Sequence, residues 1–276
     1  MRAFMLLVLA LATPAAAQPV ATCEGGLNPG RILACTELLR ADQSPDRAIA
    51  IYKNRAQAYR SSGQNDLALK DYDTVLTVSP KEPEAIYGRG WALYNLKFHN
   101  RALADADRLI ALGKGELYAI HQLRCRVLAA LGRFDEAIQA CTDQLRPFAS
   151  HIFLMDRGEM YLLAGQYDLA IGDFDAALRA DKLAARAKLG RGKAMFAKGN
   201  YGAALHEFDE ANRIMETMSG QAWAMALSKR GLANEALGHS AAAIADFQKA
   251  LKTWPDLEES REGLKRLGVP PAPLKP

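Results

Sequence analysis

The sequence has little of what usually marks an enzyme. Among its 276 residues there are five histidines, each in a different stretch of the chain. No HExxH or GxSxG motif is present, and no glycine-rich phosphate loop follows a strand pattern. We therefore expect no catalytic residues, no metal site and no cofactor. The histidines are His99, His121, His151, His206 and His239.

Long apolar runs are also scarce. One occurs at residues 4–12, and it is too short to span a bilayer. It follows Arg2 and is followed by the small residues Ala15 and Ala17, as in a secretory signal peptide. The sequence therefore predicts a signal peptide at residues 1–17, cleaved between Ala17 and Gln18, and a periplasmic or secreted protein. An uncleaved anchor is the less favoured alternative.

Charge of one sign is not in excess. The chain has 35 Lys and Arg against 31 Asp and Glu, a net charge of +4. Nucleic-acid binding needs a concentrated basic face, so no nucleic-acid partner is expected. Close pairs of acidic residues, Asp71 with Asp73 and Asp173 with Asp175, flank an aromatic residue. We expect them to form a solvated outer face and not a general acid–base pair.

Cysteine is rare, with four residues in the chain. In an exported protein they favour disulfides, and three pairings are possible. Residues 18–28 are expected to be irregular, followed by a cap helix. Five residues of coil after Cys23 reach about 17 Å, and the helix from Asn28 to Cys35 rises about 10 Å. A Cys23–Cys35 bond is therefore predicted. Lipidation of Cys23 is disfavoured by the bulky Thr22.

What the chain does contain is a repeat. The phrase GQYDLAIGDFDAA at residues 165–177 recurs with an alanine at steps of 34, 35, 33, 34 and 39 residues. A period near 34 indicates stacked helix pairs. First helices are expected from about residues 46, 83, 118, 151, 185 and 221, and second helices from about 65, 99, 134, 167, 201 and 240. The recurring alanines are Ala68, Ala102, Ala137, Ala170, Ala204 and Ala243.

Glycine marks the turn inside five of the pairs, where a residue after a helix end often needs positive φ. The second pair has Leu96, Lys97 and Phe98 there, which predicts a looser turn. The longest step reflects extra residues around 215–220, which we expect to lengthen the second helix of the fifth pair or its exit loop. The turn glycines are Gly63, Gly132, Gly165, Gly199 and Gly238.

Small residues recur in the first helices and bulky aromatic residues recur in the second helices. With the turn glycine, the alanine, and Pro80 and Pro255 after second helices, this pattern resembles the tetratricopeptide repeat (TPR) family over residues 46–257. The small residues are Ala56, Gly90, Cys125, Gly158, Gly192 and Gly231, and the aromatic residues are Tyr72, Phe174, Phe208 and Phe247. The second and third pairs depart from this pattern. Ala106 and Cys141 stand where an aromatic residue is usual, and Gln144 stands where a small residue is usual.

The resemblance implies an all-α, right-handed superhelical solenoid of about six helix pairs. Residues 18–45 would form a leader and N-terminal cap helix, 258–268 a capping helix, and 269–276 a disordered proline-rich tail. In this fold, Cys125 and Cys141 occupy positions that pack across one helix interface, which implies a second disulfide. Two free thiols, or a metal site that includes His121, are the alternatives.

The resemblance also implies a concave face lined by the first helices. Tyr87, Trp91 and Tyr94 share one helix face, and Arg60 and Arg126 flank them. Aromatic residues with arginine are typical of interface hot spots. Packing between neighbouring helices is the alternative role. The predicted ligand residues are Lys53, Gln57, Arg60, Tyr87, Trp91, Tyr94, Asn95, Gln122, Arg126, Arg186, Lys193 and Phe196.

Some family members bind a terminal carboxylate with lysine and asparagine side chains. Lys53 stands at one such position, but Gln57, Gly88, Ala119 and Leu123 occupy the others, so this mode is not expected. The sequence predicts a non-catalytic periplasmic scaffold that binds a protein or peptide segment. The alternatives are a self-assembling structural protein of the cell envelope, a possible homo-oligomer, or a regulatory subunit of an envelope enzyme.

Overall fold

A computed structural model describes residues 17–25, 28–41, 44–113, 117–145, 150–181, 183–217 and 220–273. All regular structure within these ranges is helical, and none of them contains a strand. Within the same ranges, no helix combines the length and the apolar character that a bilayer crossing requires. The predicted signal peptide lies outside the described residues except for Ala17.

The described residues form a series of consecutive helix pairs. The helices of both sets begin within one residue of the predicted positions, so the all-α repeat fold is confirmed. The first helices are α3 (Pro45–Ser61), α5 (Pro83–Asn95), α7 (Leu117–Ala130), α9 (His151–Leu163), α11 (Ala185–Ala197) and α13 (Gln221–Ala236). The second helices are α4 (Asn65–Val78), α6 (His99–Leu112), α8 (Phe134–Leu145), α10 (Tyr167–Ala180), α12 (Tyr201–Met215) and α14 (Ser240–Thr253). The helices at the two ends are α1 (Ala17–Gly25), α2 (Asn28–Ala41) and α15 (Glu258–Arg266).

The chain divides into two compact units, Met1–Leu131 and Gly132–Pro276. Unit 1 contains α1 to α7, and unit 2 contains α8 to α15. Within each unit, a second helix packs against the first helix of its own pair and against the first helix of the next pair. This arrangement gives every amphipathic helix two neighbours for its apolar face, which a single pair does not provide.

The leader is helical at Ala17–Gly25, so the prediction of an irregular segment was wrong for residues 18–25, and residues 26–27 lie outside the described residues. Pro19 lies in the first turn of α1, where its missing N–H group costs nothing. The sulfur atoms of Cys23 and Cys35 are bonded at 2.09 Å, and both residues are buried. Arg31 Nε also donates to the Cys23 carbonyl at 2.9 Å. These contacts hold α1 against α2 and favour its ordered backbone.

The third pair carries the other two cysteines. Cys125 is buried in α7 and Cys141 is buried in α8, and no cysteine of the chain is a free thiol. Because they belong to different units, the predicted bond between these two residues stays a prediction. Gln144 in α8 is fully buried, and its two amide atoms have no hydrogen-bond partner among the described residues.

Close contact between aromatic rings and glycines defines the core of unit 2. A Cβ atom on Gly190 would lie 2.4 Å from Cζ of Phe174, and one on Gly158 would lie 2.9 Å from Cε1 of the same ring. A Cβ atom added to Gly231 or to Gly263 would likewise lie 2.6 or 2.5 Å from the ring of Phe247. The glycines therefore meet a steric requirement that outweighs their unfavourable helix propensity.

Unit 1 solves the same packing problem with different residues. Tyr72 lies against Gly88 of the next pair, where an added Cβ atom would be 2.2 Å from Cζ of the ring. Ala106 replaces the aromatic residue in the second pair. The space beside Gly90 is filled instead by Leu123 of α7, whose Cδ2 atom would lie 2.7 Å from an added Cβ.

The turn of the second pair is not looser than the others, contrary to the prediction. Lys97 adopts a left-handed conformation with φ 67°, close to the 74° of Gly165. Its N–H donates to the Tyr94 carbonyl at 3.0 Å, and the next N–H, from Phe98, donates to Leu93 at 2.9 Å. The hydrogen bonds of this helix end thus impose the turn on a residue that does not favour it.

The extra residues of the fifth repeat lie mostly in a place that was not predicted. Helix α12 has 15 residues against 14 in α10, so the second helix gains little. Helix α13 has 16 residues against 13 in α11, and the addition precedes Gly231. Much of the insertion therefore lengthens the first helix of the following pair.

At the C-terminal end, residues 269–273 have no helical structure. Val269 packs against the apolar cluster that contains Phe247 and Leu264. This part of the predicted tail therefore contacts α14 and α15.

Substituting Lys97→Gly is expected to raise the free energy of unfolding by about 0.5–1 kcal/mol. Glycine removes the steric cost of the left-handed conformation, although it loses more backbone entropy on folding. Urea unfolding followed by circular dichroism measures the change. Gly165→Ala is the matched control and should destabilise the protein. A neutral or destabilising Lys97→Gly would contradict the strained turn.

Candidate binding surface

A repeated ion pair joins the two helices of most pairs. Nε and Nη2 of Arg55 in α3 donate to the two carboxylate oxygens of Asp71 in α4, both at 2.8 Å. Arg157 binds Asp173 in the same bidentate way, with both distances 2.7 Å. The partners are always 16 residues apart. Within three other helix pairs, the ion pairs with this spacing are Arg89–Asp105, Arg191–Glu207 and Arg230–Asp246.

The prediction of a solvated acidic face was therefore wrong for the first residue of each pair, whereas the side chains of Asp73 and Asp175 stay 45% and 39% exposed. Asp71 and Asp173 are 5% and 7% exposed. Asp73 accepts a hydrogen bond from Arg89 of the next pair, and Asp175 accepts one from Arg191. These carboxylates are neutralised by arginine and do not form a free acid–base site. The third pair differs, because Ala140 stands 16 residues after Arg124, and Arg124 binds Asp107 instead.

Unit 1 contains a polar cavity of about 260 Å³ between α3, α4 and α5. Lys53, Gln57, Arg60 and Tyr87, all predicted ligand residues, line it together. The sequence reasoning missed the other lining residues. They come from unremarkable positions of α3 and α5 and from the core aromatic position of α4, and they are Asn54, Tyr72, Glu84 and Gly88.

Arg60 has an unsatisfied donor at this cavity. Its Nε atom is buried and has no hydrogen-bond partner among the described residues. Burial raises the pKa of Tyr72 above its ordinary value, and the guanidinium of Arg60 beside the hydroxyl opposes that shift. A buried donor without an acceptor costs about 1–3 kcal/mol, so a ligand that supplies an acceptor gains that stabilisation.

The charges around the cavity are mainly positive. Arg31 of α2 donates to Oδ1 of Asn54 at 3.0 Å and to Oε1 of Gln57 at 3.1 Å, and these acceptors are neutral. Lys53 binds the carboxylates of Glu82 and Glu84 at 2.9 and 2.8 Å. Burial lowers the pKa of Lys53, but these two carboxylates more than offset it, and the pKa is raised.

The aromatic residues of α5 form an edge-to-face ladder. The rings of Tyr87 and Trp91 are 6.3 Å apart at 84°, and those of Trp91 and Tyr94 are 5.7 Å apart at 88°. His99 of α6 extends the ladder at 5.6 Å from Tyr94. All four side chains are half-buried, so each one packs against its neighbours and remains partly exposed to solvent. Asn95 lies apart and donates to Oδ1 of Asn65 at 3.1 Å.

The remaining predicted residues are divided between the units. Gln122 and Arg126 lie on α7 of unit 1, and both are half-buried. Arg186, Lys193 and Phe196 lie on α11 of unit 2. The ring of Phe196 packs against Tyr201 at 5.0 Å, next to the turn that ends its helix.

Lys193 is half-buried among charges that already have partners. Arg186 Nη2 binds Asp156 at 2.7 Å and Glu159 at 2.8 Å, and Ser228 donates to Glu259 at 2.7 Å. Burial lowers the pKa of Lys193. The carboxylates of Glu159 and Glu259 oppose that shift, and the nearby cations reinforce it. In the described part of the chain, Lys193 forms no ion pair itself.

In the described ranges, no group of three or more His, Cys, Asp or Glu side chains is placed to hold a metal ion. The predicted ligand residues of unit 1 gather mainly at the polar cavity and at the aromatic ladder of α5. We call the cavity and the ladder together the first-helix surface.

The sequence matches two models of tetratricopeptide repeats. One, described as "Tetratricopeptide repeat", matches residues 124–181 and 155–214. The other, described as "TPR repeat", matches residues 56–97. A human relative, "Tetratricopeptide repeat protein 13", is 31% identical over 155 residues, which are 54% of this chain and 18% of that protein. This chain thus spans less than a fifth of that relative's length.

Solved structures show the same fold. A tetratricopeptide repeat protein from Parabacteroides merdae superimposes with a TM-score of 0.75 at 19% identity, covering 91% of this chain and 96% of that one. YrrB, described as "a TPR protein with an unusual peptide-binding site", superimposes with a TM-score of 0.51 at 21% identity. That match covers 66% of this chain and 93% of YrrB.

Substituting Arg157→Leu is expected to lower the free energy of unfolding by about 2–3 kcal/mol, because it leaves the buried carboxylate of Asp173 without a counter-charge. The double variant Arg157→Leu/Asp173→Leu should lose less than the sum of the two single variants. Urea denaturation measures the cycle. Arg213→Ala, at an exposed arginine, is the control and should change little. Strict additivity would show that the pair is not coupled.

Substituting Lys193→Met is expected to stabilise the protein at pH 7. The lowered pKa means that folding disfavours the charged ammonium, so its cost is fully present below the folded-state pKa. The cost fades as the pH rises from the folded-state pKa to the higher unfolded one. The gain in urea midpoint should therefore shrink as the pH rises toward the ordinary pKa of lysine, while exposed Lys252→Met should have no effect. A destabilised Lys193→Met would show that the ammonium has a protein partner.

The repeat period, the glycine–aromatic contacts and the matched repeat models lead to one conclusion. Each 34-residue phrase is a pair of antiparallel helices that shares its core with the next pair. Residues 56–97 and 124–214 of this chain are tetratricopeptide repeats.

Proposed function

We propose that this protein is a non-catalytic scaffold that binds a protein or peptide segment on the first-helix surface of unit 1. The segment carries at least one carboxylate. The observation that carries the proposal is the polar cavity with the unpartnered, buried Nε of Arg60. TPR folds are typical of protein–protein interaction, and YrrB is described as having a peptide-binding site.

The charge of the cavity favours an acidic partner. Arg31 and Arg60 face neutral groups, whereas Lys53 alone is balanced by Glu82 and Glu84. A carboxylate would accept from the guanidinium of Arg60 in a charge-assisted hydrogen bond. The residues involved differ from the lysine and asparagine set of terminal-carboxylate binders, so the acid can belong to a side chain of the partner.

The aromatic ladder supports binding by preorganisation. Trp91 is held between Tyr87 and Tyr94 in edge-to-face contacts, so its rotamer is fixed before a partner arrives. A rigid surface loses little conformational entropy on binding, and tryptophan and tyrosine are frequent anchors of interfaces. Lys193 in unit 2, kept at a cost in stability, is a second candidate contact for an acceptor on the partner.

We also place the protein outside the cytoplasm, in the periplasm or secreted. The signal-like residues 1–17 support this location, as does the disulfide between Cys23 and Cys35, because such bonds persist in oxidising compartments. Non-catalytic action is supported by the neutralised carboxylates of the helix pairs and by the family, whose members are generally scaffolds.

Site-specific photocrosslinking in the native host tests the proposal. A photoreactive phenylalanine at position 57 lies at the cavity, since Gln57 is exposed there. The same group at exposed position 74 on α4 is the matched control. We expect position 57 to capture a partner that position 74 does not capture, and Arg60→Gln to abolish that capture in a folded protein.

Two results would contradict this function. Capture of one partner at position 74 but not at position 57 would place the interface elsewhere. Capture of the protein by itself alone, with a mass in solution that rises with concentration, would favour the structural protein of the cell envelope. Arg101→Gln, which removes an exposed arginine of α6, is the control for Arg60→Gln because it also removes one positive charge.

A further inference from the structure

Unit 2 contains a second and larger cavity, of about 740 Å³, at the C-terminal end of the chain. It lies between α14, α15 and residues 270–273. Its walls are largely apolar, with Leu251, Leu264, Pro255 and Pro270 among the lining residues. Pockets that hold small ligands commonly have 300–1,000 Å³, apolar walls and a few polar groups.

The chain builds this cavity by turning back on itself after α15. Gly268 has φ 75°, a left-handed conformation that glycine adopts without strain. The N–H of Val269 then donates to the Leu264 carbonyl at 2.9 Å. Arg261 Nη1 donates to the Ala272 carbonyl at 3.0 Å, which fixes the proline-rich segment as one wall.

Four of the described polar residues line the cavity, and the two cations Lys252 and Arg261 outnumber the single acid Asp256, with Gln248 neutral. Arg261 donates through Nη1 to two backbone carbonyls, those of Pro255 and Ala272. Neither contact is to a carboxylate, and its Nε and Nη2 groups make no hydrogen bond to a described residue. Lys252 is exposed at the rim and forms no ion pair with the described residues. Asp256 is the one acidic residue among those that line the cavity.

An apolar cavity with two available cations suits one kind of ligand. An alkyl group would replace water against Leu251, Leu264 and the proline rings, which gains about 25 cal/mol for each Å² of apolar surface buried. An anionic head group would pair with Arg261 and Lys252, which lie at the same cavity. A planar carboxylate matches the fork of a guanidinium in a bidentate contact.

We propose that the cavity between α14, α15 and residues 270–273 binds a small amphipathic carboxylate with an alkyl chain. The carboxylate accepts hydrogen bonds from Nε and Nη2 of Arg261 and from Lys252. The alkyl chain lies against Leu251 and Leu264. This site is independent of the proposed scaffold function, because it lies in unit 2 and shares no residue with the first-helix surface.

Isothermal titration calorimetry with octanoate tests the site in the full-length mature protein. Octanol and octylammonium, with the same chain but no charge or the opposite charge, are the comparison ligands. We expect octanoate to bind at one site, and the other two to bind at least about tenfold more weakly, as the loss of a charge-assisted contact predicts.

Variants of the cavity locate the binding. Arg261→Gln should weaken octanoate binding by about tenfold or more. Ala272→Glu keeps Arg261 and adds a negative charge at an exposed wall position, so it should weaken octanoate binding without disturbing the core. Lys265→Gln removes one positive charge from exposed α15 outside the cavity, and it should leave binding unchanged.

Three results would overturn the site. The first is the absence of octanoate binding at millimolar concentration. The second is equal binding of octanol or octylammonium, which would mean that the cations do not select the ligand. The third is unchanged binding in Ala272→Glu, which would place octanoate elsewhere on the protein.

Discussion

The close approach of an aromatic ring to glycine backbone is the contact on which the array depends. In unit 2, Phe174 lies between Gly158 of its own pair and Gly190 of the next pair. One ring thereby fixes the distance between three helices at once. Because a methyl group at either glycine would overlap the ring, the spacing of the helices is set by sterics and not by general apolar burial. This contact explains why small and aromatic residues recur in the sequence at the repeat period.

The ion pairs fix the register of the packed helices. A bidentate contact between Arg157 and Asp173 is satisfied in one register of the two helices, whereas apolar surfaces can slide. The buried carboxylates also explain why acidic residues beside a core phenylalanine are tolerated. Where the pattern lapses, as at Arg124, the arginine contacts Asp107 in the preceding second helix.

Much of the fold was predictable from the sequence, because the repeated alanine, glycine and phenylalanine positions report contacts that recur in every pair. The helix starts were confirmed for that reason. The ion pairs were missed because their partners lie 16 residues apart on different helices, a spacing that no helical period suggests. Lys97 was misread because a turn can be imposed by hydrogen bonds on an unfavourable residue. Of the candidate site, sequence predicted Lys53 and Arg60 but not Tyr72, which belongs to the core and also lines the cavity.

The arginines that bind two pairs at once have a consequence for how each unit opens. Arg89 contacts Asp105 of its own pair and Asp73 of the pair before it, and Arg191 does the same with Glu207 and Asp175. When one pair unfolds locally, the neighbouring pair therefore loses a counter-charge. The interaction energy between neighbouring pairs is thus larger relative to the intrinsic stability of a single repeat. Amide protons along each coupled stretch should then exchange with solvent as a block, through shared openings, and not repeat by repeat.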